Sequence, residues 1–145
     1  MDRTPNHDIR VDQIPMVLRH IPQWVCWRYE ARDGKRTKIP RTPSGAPAST
    51  TDPETWCAFA DALAAAGQDG VGFVVTSNDP YVGIDLDHCI EDGVIAPWAQ
   101  AIIDRFASYA EFTPSDKGVR IWLQGKLPPG RRRLTTPPIE AYDEN

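Results

Sequence analysis

Residues 81–87, YVGIDLD, alternate between two kinds of side chain, which is the pattern of a β-strand with two different faces. The aliphatic members of this segment would face a hydrophobic core. Gly83, Asp85 and Asp87 would share the opposite face, with the two carboxylates about 6–7 Å apart along the strand. Because neighbouring negative charges repel, the pattern predicts that a cation or protons relieve the repulsion.

Two carboxylates on one face favour binding of Mg²⁺ or Mn²⁺, which prefer oxygen ligands. Such ions bridge protein carboxylates to substrate phosphates, and a pair of them can hold both oxygens of a phosphoryl transfer. Gly83 would leave room for a ligand on this face. The alternative is that both aspartates face solvent on an open sheet. An EF-hand calcium loop is excluded, because Cys89 and Ile90 stand where a ligand and a glycine are needed.

The composition indicates a globular protein with one domain, since the chain has 145 residues, 41% of them hydrophobic and 25% charged. We expect residues 1–12 to be a flexible lead-in and residues 13–145 to be the domain. Three cysteines without a CxxC pair indicate neither a disulfide framework nor a zinc knuckle. There is no signal peptide and no apolar run of 18 residues, which predicts a cytoplasmic location.

The net charge of −4 does not indicate a general nucleic-acid binder, but the charges are segregated. Basic residues cluster in 32–41 and 130–133, and carboxylates cluster in 85–92 and 140–144. This segregation would suit a site that handles both metal and phosphate. The alternative is ordinary solvated loops.

Periodicity predicts an α+β fold, with helices packed on a mixed, largely antiparallel sheet. Helices are expected in 11–22, 51–67 and 96–109, and Asp33-Gly34 is a hairpin signal. The helix over 51–67 would be capped by Thr51 or Asp52. Its buried stripe would consist of Trp56, Phe59, Ala60 and Leu63. The predicted strands are 23–30, 36–40, 70–76, 81–87, 110–114, 119–125 and 138–142.

Seven segments taken together resemble the archaeo-eukaryotic primase superfamily. More narrowly, they resemble the N-terminal primase-polymerase domain of replication proteins from phages and mobile elements. The segments are QWVCWRYE, GKRTKIP, TDPETWCAF, GVGFVVT, YVGIDLDHC, SYAEFTPSDKGVRIW and PIEAYD, in this order over residues 13–143. The resemblance implies an RRM-like catalytic core that carries out metal-dependent nucleotidyl transfer on a DNA template. It also implies Mg²⁺ or Mn²⁺, nucleoside triphosphates, single-stranded or primed DNA, and a helicase domain or subunit as partners.

The resemblance assigns the catalytic and metal-binding role to three acids. Asp85 and Asp87 match the first motif, in which two aspartates alternate with apolar residues on a strand. Glu140, after Ile139, matches the acid of the third motif. Asp143 is a competitor for this third position, but strand parity places it on the opposite face.

The second motif departs from the family pattern, because Arg120 stands where a phosphate-binding histidine is expected and Asp116 replaces a glycine. Arginine is always charged and can grip phosphate through two donors, but it cannot shuttle a proton. Arg120 is therefore a workable substitute if the family histidine holds phosphate, and not if it does acid–base work. A solvent-facing arginine is the alternative. Ser115, Lys117 and Lys38 complete the expected nucleotide-binding set.

The expected nucleic-acid contacts are the basic residues of the two clusters, which are Lys35, Arg36, Arg131, Arg132 and Arg133. They could equally be solubilising surface. The tryptophans Trp24, Trp27 and Trp122 could stack bases, although tryptophans on strands are more often core residues.

The sequence stops at Asn145, directly after the third motif, which predicts a domain truncated at its C-terminus. An excised fragment and a natural short form both fit. One alternative function is a non-catalytic nucleic-acid or nucleotide-binding remnant of a primase-polymerase domain. Another is a metal-dependent nuclease, because the same carboxylates could serve phosphodiester cleavage.

Overall fold

The computed structural model describes residues 9–65 and 67–144. These residues fall into two compact units, divided between Val74 and Val75. The prediction for the lead-in lies mostly outside the described residues, and its last part forms a short 3₁₀ helix, Val11–Gln13. No helix in the described ranges has the length and apolar character that crossing a membrane requires.

The first unit contains a three-stranded antiparallel sheet in the order β2-β1-β3. Strand β1 is Trp24–Arg32, β2 is Lys35–Arg41 and β3 is Gly70–Phe73. The predicted β1–β2 hairpin is confirmed. Its turn residues Asp33 and Gly34 both have positive φ, 50° and 74°, as a tight hairpin turn requires.

The helices of the first unit are shorter than predicted. Helix α1 is Met16–Arg19, a 3₁₀ turn covers Pro53–Thr55, and α2 is Phe59–Ala64. The single helix predicted over 51–67 is therefore wrong.

The break in this predicted helix has a tertiary cause. Cys57 exchanges two backbone hydrogen bonds with Trp24, of 2.8 and 3.1 Å, and this bridge holds the chain extended between the two helical pieces. The buried residues of α2 are Phe59 and Ala62, and Ala60 is exposed, contrary to the predicted stripe.

The second unit contains a five-stranded sheet in the order β7-β8-β4-β10-β9, in which every pairing is antiparallel. The strands are β4 Tyr81–Leu86, β7 Ala110–Phe112, β8 Val119–Gln124, β9 Arg133–Leu134 and β10 Ile139–Tyr142. A separate hairpin joins β5, Ile90–Glu91, to β6, Val94–Ile95. This hairpin and β9 were not predicted, because strands of two residues carry no readable alternation. The α+β class with a largely antiparallel sheet is confirmed.

The predicted third helix is confirmed as α3, Pro97–Phe106, with Pro97 in its first turn. The hydrophobic core of this unit is built around Leu86, Cys89, Ala99, Val119 and Ile121. Partly buried aliphatic residues of α3 and of strands β4, β8 and β10 surround this cluster. Since successive residues of a strand point to opposite faces, the polar residues of these strands are left on the other face of the sheet.

Candidate active site

One face of the five-stranded sheet carries a line of charged residues, one from each strand. In the order of the strands they are Glu111, Arg120, Asp85, Glu140 and Arg133, and each is the direct register partner of the next. Directly opposed residues of antiparallel strands lie on the same face, with Cβ atoms about 4.5–5.5 Å apart. We call this set the charged row.

Asp85 and Arg120 form the central ion pair of the charged row. The guanidinium donates from Nε to Oδ1 at 2.7 Å and from Nη2 to Oδ2 at 3.2 Å. Both side chains are largely covered, with 24% of Arg120 and 18% of Asp85 exposed. Burial works against the charge of Arg120, but the Asp85 hydrogen bonds and the nearby negative groups outweigh it, so the arginine pKa is raised. Arg120 therefore remains a cation at every working pH.

Glu140 lies on the other side of Asp85, as its register partner on β10. Its Oε2 accepts a 2.7 Å hydrogen bond from Nη2 of Arg133. This pair is more open than the central one, with 39% of Glu140 and 73% of Arg133 exposed. Two adjacent carboxylates, each paired with an arginine, thus form the middle of the charged row.

Asp87 follows directly after β4 and extends the pairing with the segment before β10. Its N–H donates to the carbonyl of Pro138 at 2.9 Å, and the chain then turns at His88, which has a φ of 49°. The extended pairing keeps Asp87 on the same side as Asp85. Within the described ranges, its carboxylate makes no hydrogen bond or ion pair.

The carboxylates suit Mg²⁺ or Mn²⁺ in their chemistry, since all their donor atoms are oxygen. Asp85 and Glu140 meet in register, and Asp87 is the next residue along the same face. Among residues 9–65 and 67–144, no group of three or more His, Cys, Asp or Glu side chains is gathered closely enough to hold a metal ion. The metal site of Asp85, Asp87 and Glu140 therefore stays a prediction, in which an ion would compete with Arg120 for Asp85.

The space above Gly83 is filled, contrary to the expectation that it is open to a ligand. A Cβ atom at Gly83 would lie 2.4 Å from Cζ of Tyr142, so the tyrosine ring covers the glycine. Burial raises the pKa of the Tyr142 hydroxyl, although the Arg120 charge opposes this shift. The ring lies beside the charged row, with its centroid 6.0 Å from Cζ of Arg120.

Glu111 was not among the predicted site residues, although the structure places it at the end of the charged row. Its Oε2 accepts a 2.8 Å hydrogen bond from the hydroxyl of Tyr109, and its Oε1 accepts one of 3.2 Å from Nε1 of Trp122. Burial and the Glu111 charge raise the pKa of Tyr109. The signal in the sequence was the alternation of Tyr109 and Glu111, which puts both on one face of the strand.

The predicted phosphate-binding turn lies between β7 and β8. Ser115 Oγ accepts a 3.3 Å hydrogen bond from the N–H of Lys117. The carbonyl of Lys117 accepts from the N–H groups of Cys89 and Ile90, at 2.9 and 3.1 Å. Because these bonds tie the turn to the segment that follows Asp87, the structure brings Ser115 and Lys117 to the end of β4.

Three of the other basic candidates belong to the first unit. Lys35, Arg36 and Lys38 lie on β2 of the first unit, where Arg36 stacks on the ring of Tyr29 at 3.9 Å and Lys38 stands 5.2 Å from the centroid of Trp27.

In the second unit, Arg131 is exposed, and Arg132 donates to Asp143 at 3.2 Å. Asp143 also accepts from the N–H of Leu127 at 3.1 Å, so this carboxylate anchors a loop. The three candidate stacking tryptophans, Trp24, Trp27 and Trp122, are buried.

Comparison with known proteins shows a similarity to a phage protein. No protein-family model matches the chain. The chain is 41% identical over 124 residues to a protein named DNA primase-polymerase from Nitratiruptor phage NrS-1. The alignment covers 80% of this chain and 17% of that protein, so the chain spans less than a fifth of the relative's length.

Proposed function

We propose that this chain is a catalytic domain of the primase-polymerase type, which joins nucleotides on a DNA template in a phage or mobile-element replication system. The observation that carries the proposal is the register of the charged row, in which Asp85 stands between Glu140 and Arg120. Transfer of a nucleotidyl group needs acids that can hold metal ions and a permanent cation that can neutralise phosphate, and the charged row places both side by side. The similarity to a DNA primase-polymerase supports the same reaction class.

Asp85, Glu140 and Asp87 are the proposed ligands of Mg²⁺ or Mn²⁺. When bound, these ions would activate the attacking 3′-hydroxyl and stabilise charge on the departing pyrophosphate. The protein supplies the positions of the carboxylates, two of which are fixed by strand pairing and one by the bond from Asp87 to Pro138. Because the sheet holds these carboxylates in place, they need to move little when the reaction takes place.

Arg120 is the proposed principal ligand of the triphosphate, because its guanidinium keeps its charge and offers two parallel donors. It cannot act as an acid or a base at neutral pH. Its role is therefore to hold and neutralise phosphate. Ser115 and Lys117, on the turn tied to the end of β4, would contact the same phosphates. Lys38, on β2 of the first unit, is also proposed to bind phosphate.

We propose that the phosphates of the template and primer contact the basic residues that lie outside the charged row. These residues are Lys35, Arg36, Arg131 and Arg132. Arg133 is proposed to do so as well, by exchanging Glu140 for a phosphate. A helicase domain or subunit is the proposed protein partner.

Primer extension on a single-stranded DNA template tests the proposal. We expect labelled nucleotides to be incorporated with Mg²⁺ or Mn²⁺ present, and incorporation to stop in EDTA. Asp85→Asn should lower the rate by about 100-fold or more, the scale of losing a key electrostatic group. The matched control is Asp92→Asn, which removes the same charge at an exposed turn. Incorporation that survives both EDTA and Asp85→Asn contradicts the proposed function.

A second candidate, a nucleotide- or nucleic-acid-binding module without catalysis, has one observation in its favour. Asp85 and Glu140 are each neutralised by an arginine, and such pairs are complete without a metal. In this case the chain should bind labelled nucleotide or single-stranded DNA in the absence of divalent ions. No incorporation would be seen at any metal concentration.

A further inference from the structure

Arg120 stands between two carboxylates but is bonded to only one of them. Its register partners are Asp85 on β4 and Glu111 on β7. Both guanidinium bonds go to Asp85. Glu111 makes no ion pair within the described ranges, yet its charge helps to raise the pKa of Arg120. A long arginine side chain with an acid on either side has two alternative partners.

Glu111 is held in a fixed position by groups that leave it able to accept more bonds. Tyr109 and Trp122 each donate one hydrogen bond, to different oxygens of the carboxylate. A carboxylate has about four acceptor positions, so two bonds do not saturate it. Both donors are aromatic side chains in the same unit, and Trp122 is buried, which keeps the carboxylate beside Arg120.

A divalent ion at Asp85 would lie next to the Arg120 guanidinium, which is bonded to both oxygens of that carboxylate, and the two positive charges would repel each other. Arg120 cannot lose its proton to relieve the conflict, and three quarters of its side chain is covered, so an unpaired charge there is unfavourable. It therefore needs another anion when the ion binds, and Glu111 is its register neighbour on the other side.

We propose that, before nucleotide binds, Arg120 is a tethered cation that occupies Asp85 in the metal-free chain and transfers its hydrogen bonds to Glu111 when a divalent ion binds Asp85. Glu111 is then a positioning residue, which sets the metal affinity by receiving the displaced arginine. This inference rests on the proposed function, since it takes Asp85 as a metal ligand. The inference goes beyond the proposed function, because nucleotidyl transfer does not by itself require Arg120 to move between two carboxylates.

Mn²⁺ binding to four forms of the full chain tests the exchange. Isothermal titration calorimetry would compare the wild type, Glu111→Gln, Arg120→Gln and the double variant. We expect Glu111→Gln to weaken Mn²⁺ binding about tenfold and Arg120→Gln to tighten it about tenfold, a coupling of the usual size for contacting charges. In the Arg120→Gln background, Glu111→Gln should change the affinity by less than about twofold.

A second measurement follows Glu111 directly and needs no variant of it. In nuclear magnetic resonance spectra, the indole N–H signal of Trp122 reports on the carboxylate that it contacts. Titration with diamagnetic Mg²⁺ should shift this signal in the wild type and leave it in place in Arg120→Gln. The signal would be assigned by its loss in Trp122→Phe, and Asp92→Asn would serve as the remote charge control.

The outcomes separate the exchange from the proposed function. If Glu111→Gln weakens Mn²⁺ binding equally with and without Arg120, Glu111 acts only through its charge and the exchange is wrong. If Arg120→Gln fails to tighten binding, Arg120 does not compete with the ion and the exchange is also wrong. Either result leaves primer extension by the wild type intact. If no form binds Mn²⁺, the exchange and the proposed metal-dependent function are both overturned.

Discussion

Gly83→Ala should destabilise the protein through a clash with one aromatic ring. The added Cβ would lie 2.4 Å from Cζ, 2.6 Å from the hydroxyl oxygen and 2.7 Å from Cε2 of Tyr142. Carbon atoms in contact are normally about 3.5–4.0 Å apart, so the ring must retreat by about 1 Å or more. Overpacking of this kind costs about 1–3 kcal/mol. We therefore expect a loss of about 2 kcal/mol in the free energy of unfolding.

Urea denaturation followed by circular dichroism measures this loss. Gly72→Ala is a matched control, because Gly72 also lies in a strand and its Cβ would meet its nearest neighbour, Cγ2 of Val25, at an ordinary 3.8 Å. This control should change stability by less than about 1 kcal/mol in either direction. A comparison of the two variants separates the clash from the general effect of replacing glycine in a strand.

The double variant Gly83→Ala/Tyr142→Ala identifies the ring as the cause. Once the ring is removed, the added methyl group should cost no more than it does at Gly72. If Gly83→Ala alone is as stable as Gly72→Ala, the ring does not cover Gly83 and the face is open there, as the sequence suggested. If Gly83→Ala lowers the free energy of unfolding by the same amount in the Tyr142→Ala background as in the wild type, the strain lies in the backbone instead.

Two further predictions concern the first unit. Burial, assisted by the charge of Cys57, raises the pKa of the Cys26 thiol to about 11, so only about one molecule in a thousand carries the thiolate at pH 8. Cys26 should therefore resist iodoacetamide at pH 8 in the native protein and react when urea unfolds it, as mass spectrometry would show; rapid native labelling would contradict its burial. Arg36→Gln and Lys38→Gln should each reduce the slope of log affinity for single-stranded DNA against log salt by about 0.7, measured by fluorescence anisotropy. Arg105→Gln on α3 is the control, and an equal effect there would show that only net charge matters.

Local patterns in the sequence predicted the strands around the site well. The alternation in 81–87 gave β4 and its two faces, and Asp33-Gly34 gave the first hairpin. The long helix over 51–67 failed for a physical reason, since helix propensity and capping act over a few residues. The backbone bridge between Cys57 and Trp24 joins residues 33 positions apart, and no local signal could show it.

The alternation along residues 81–87 is enough to show that Asp85 and Asp87 share a face, because side-chain direction along a strand follows from the backbone alone. Which residues stand beside them could not be read from this local pattern, because the register between strands depends on packing across the whole sheet. That register put Arg120 and Glu140 on either side of Asp85, covered Gly83 with Tyr142, and brought in Glu111, which no motif had marked.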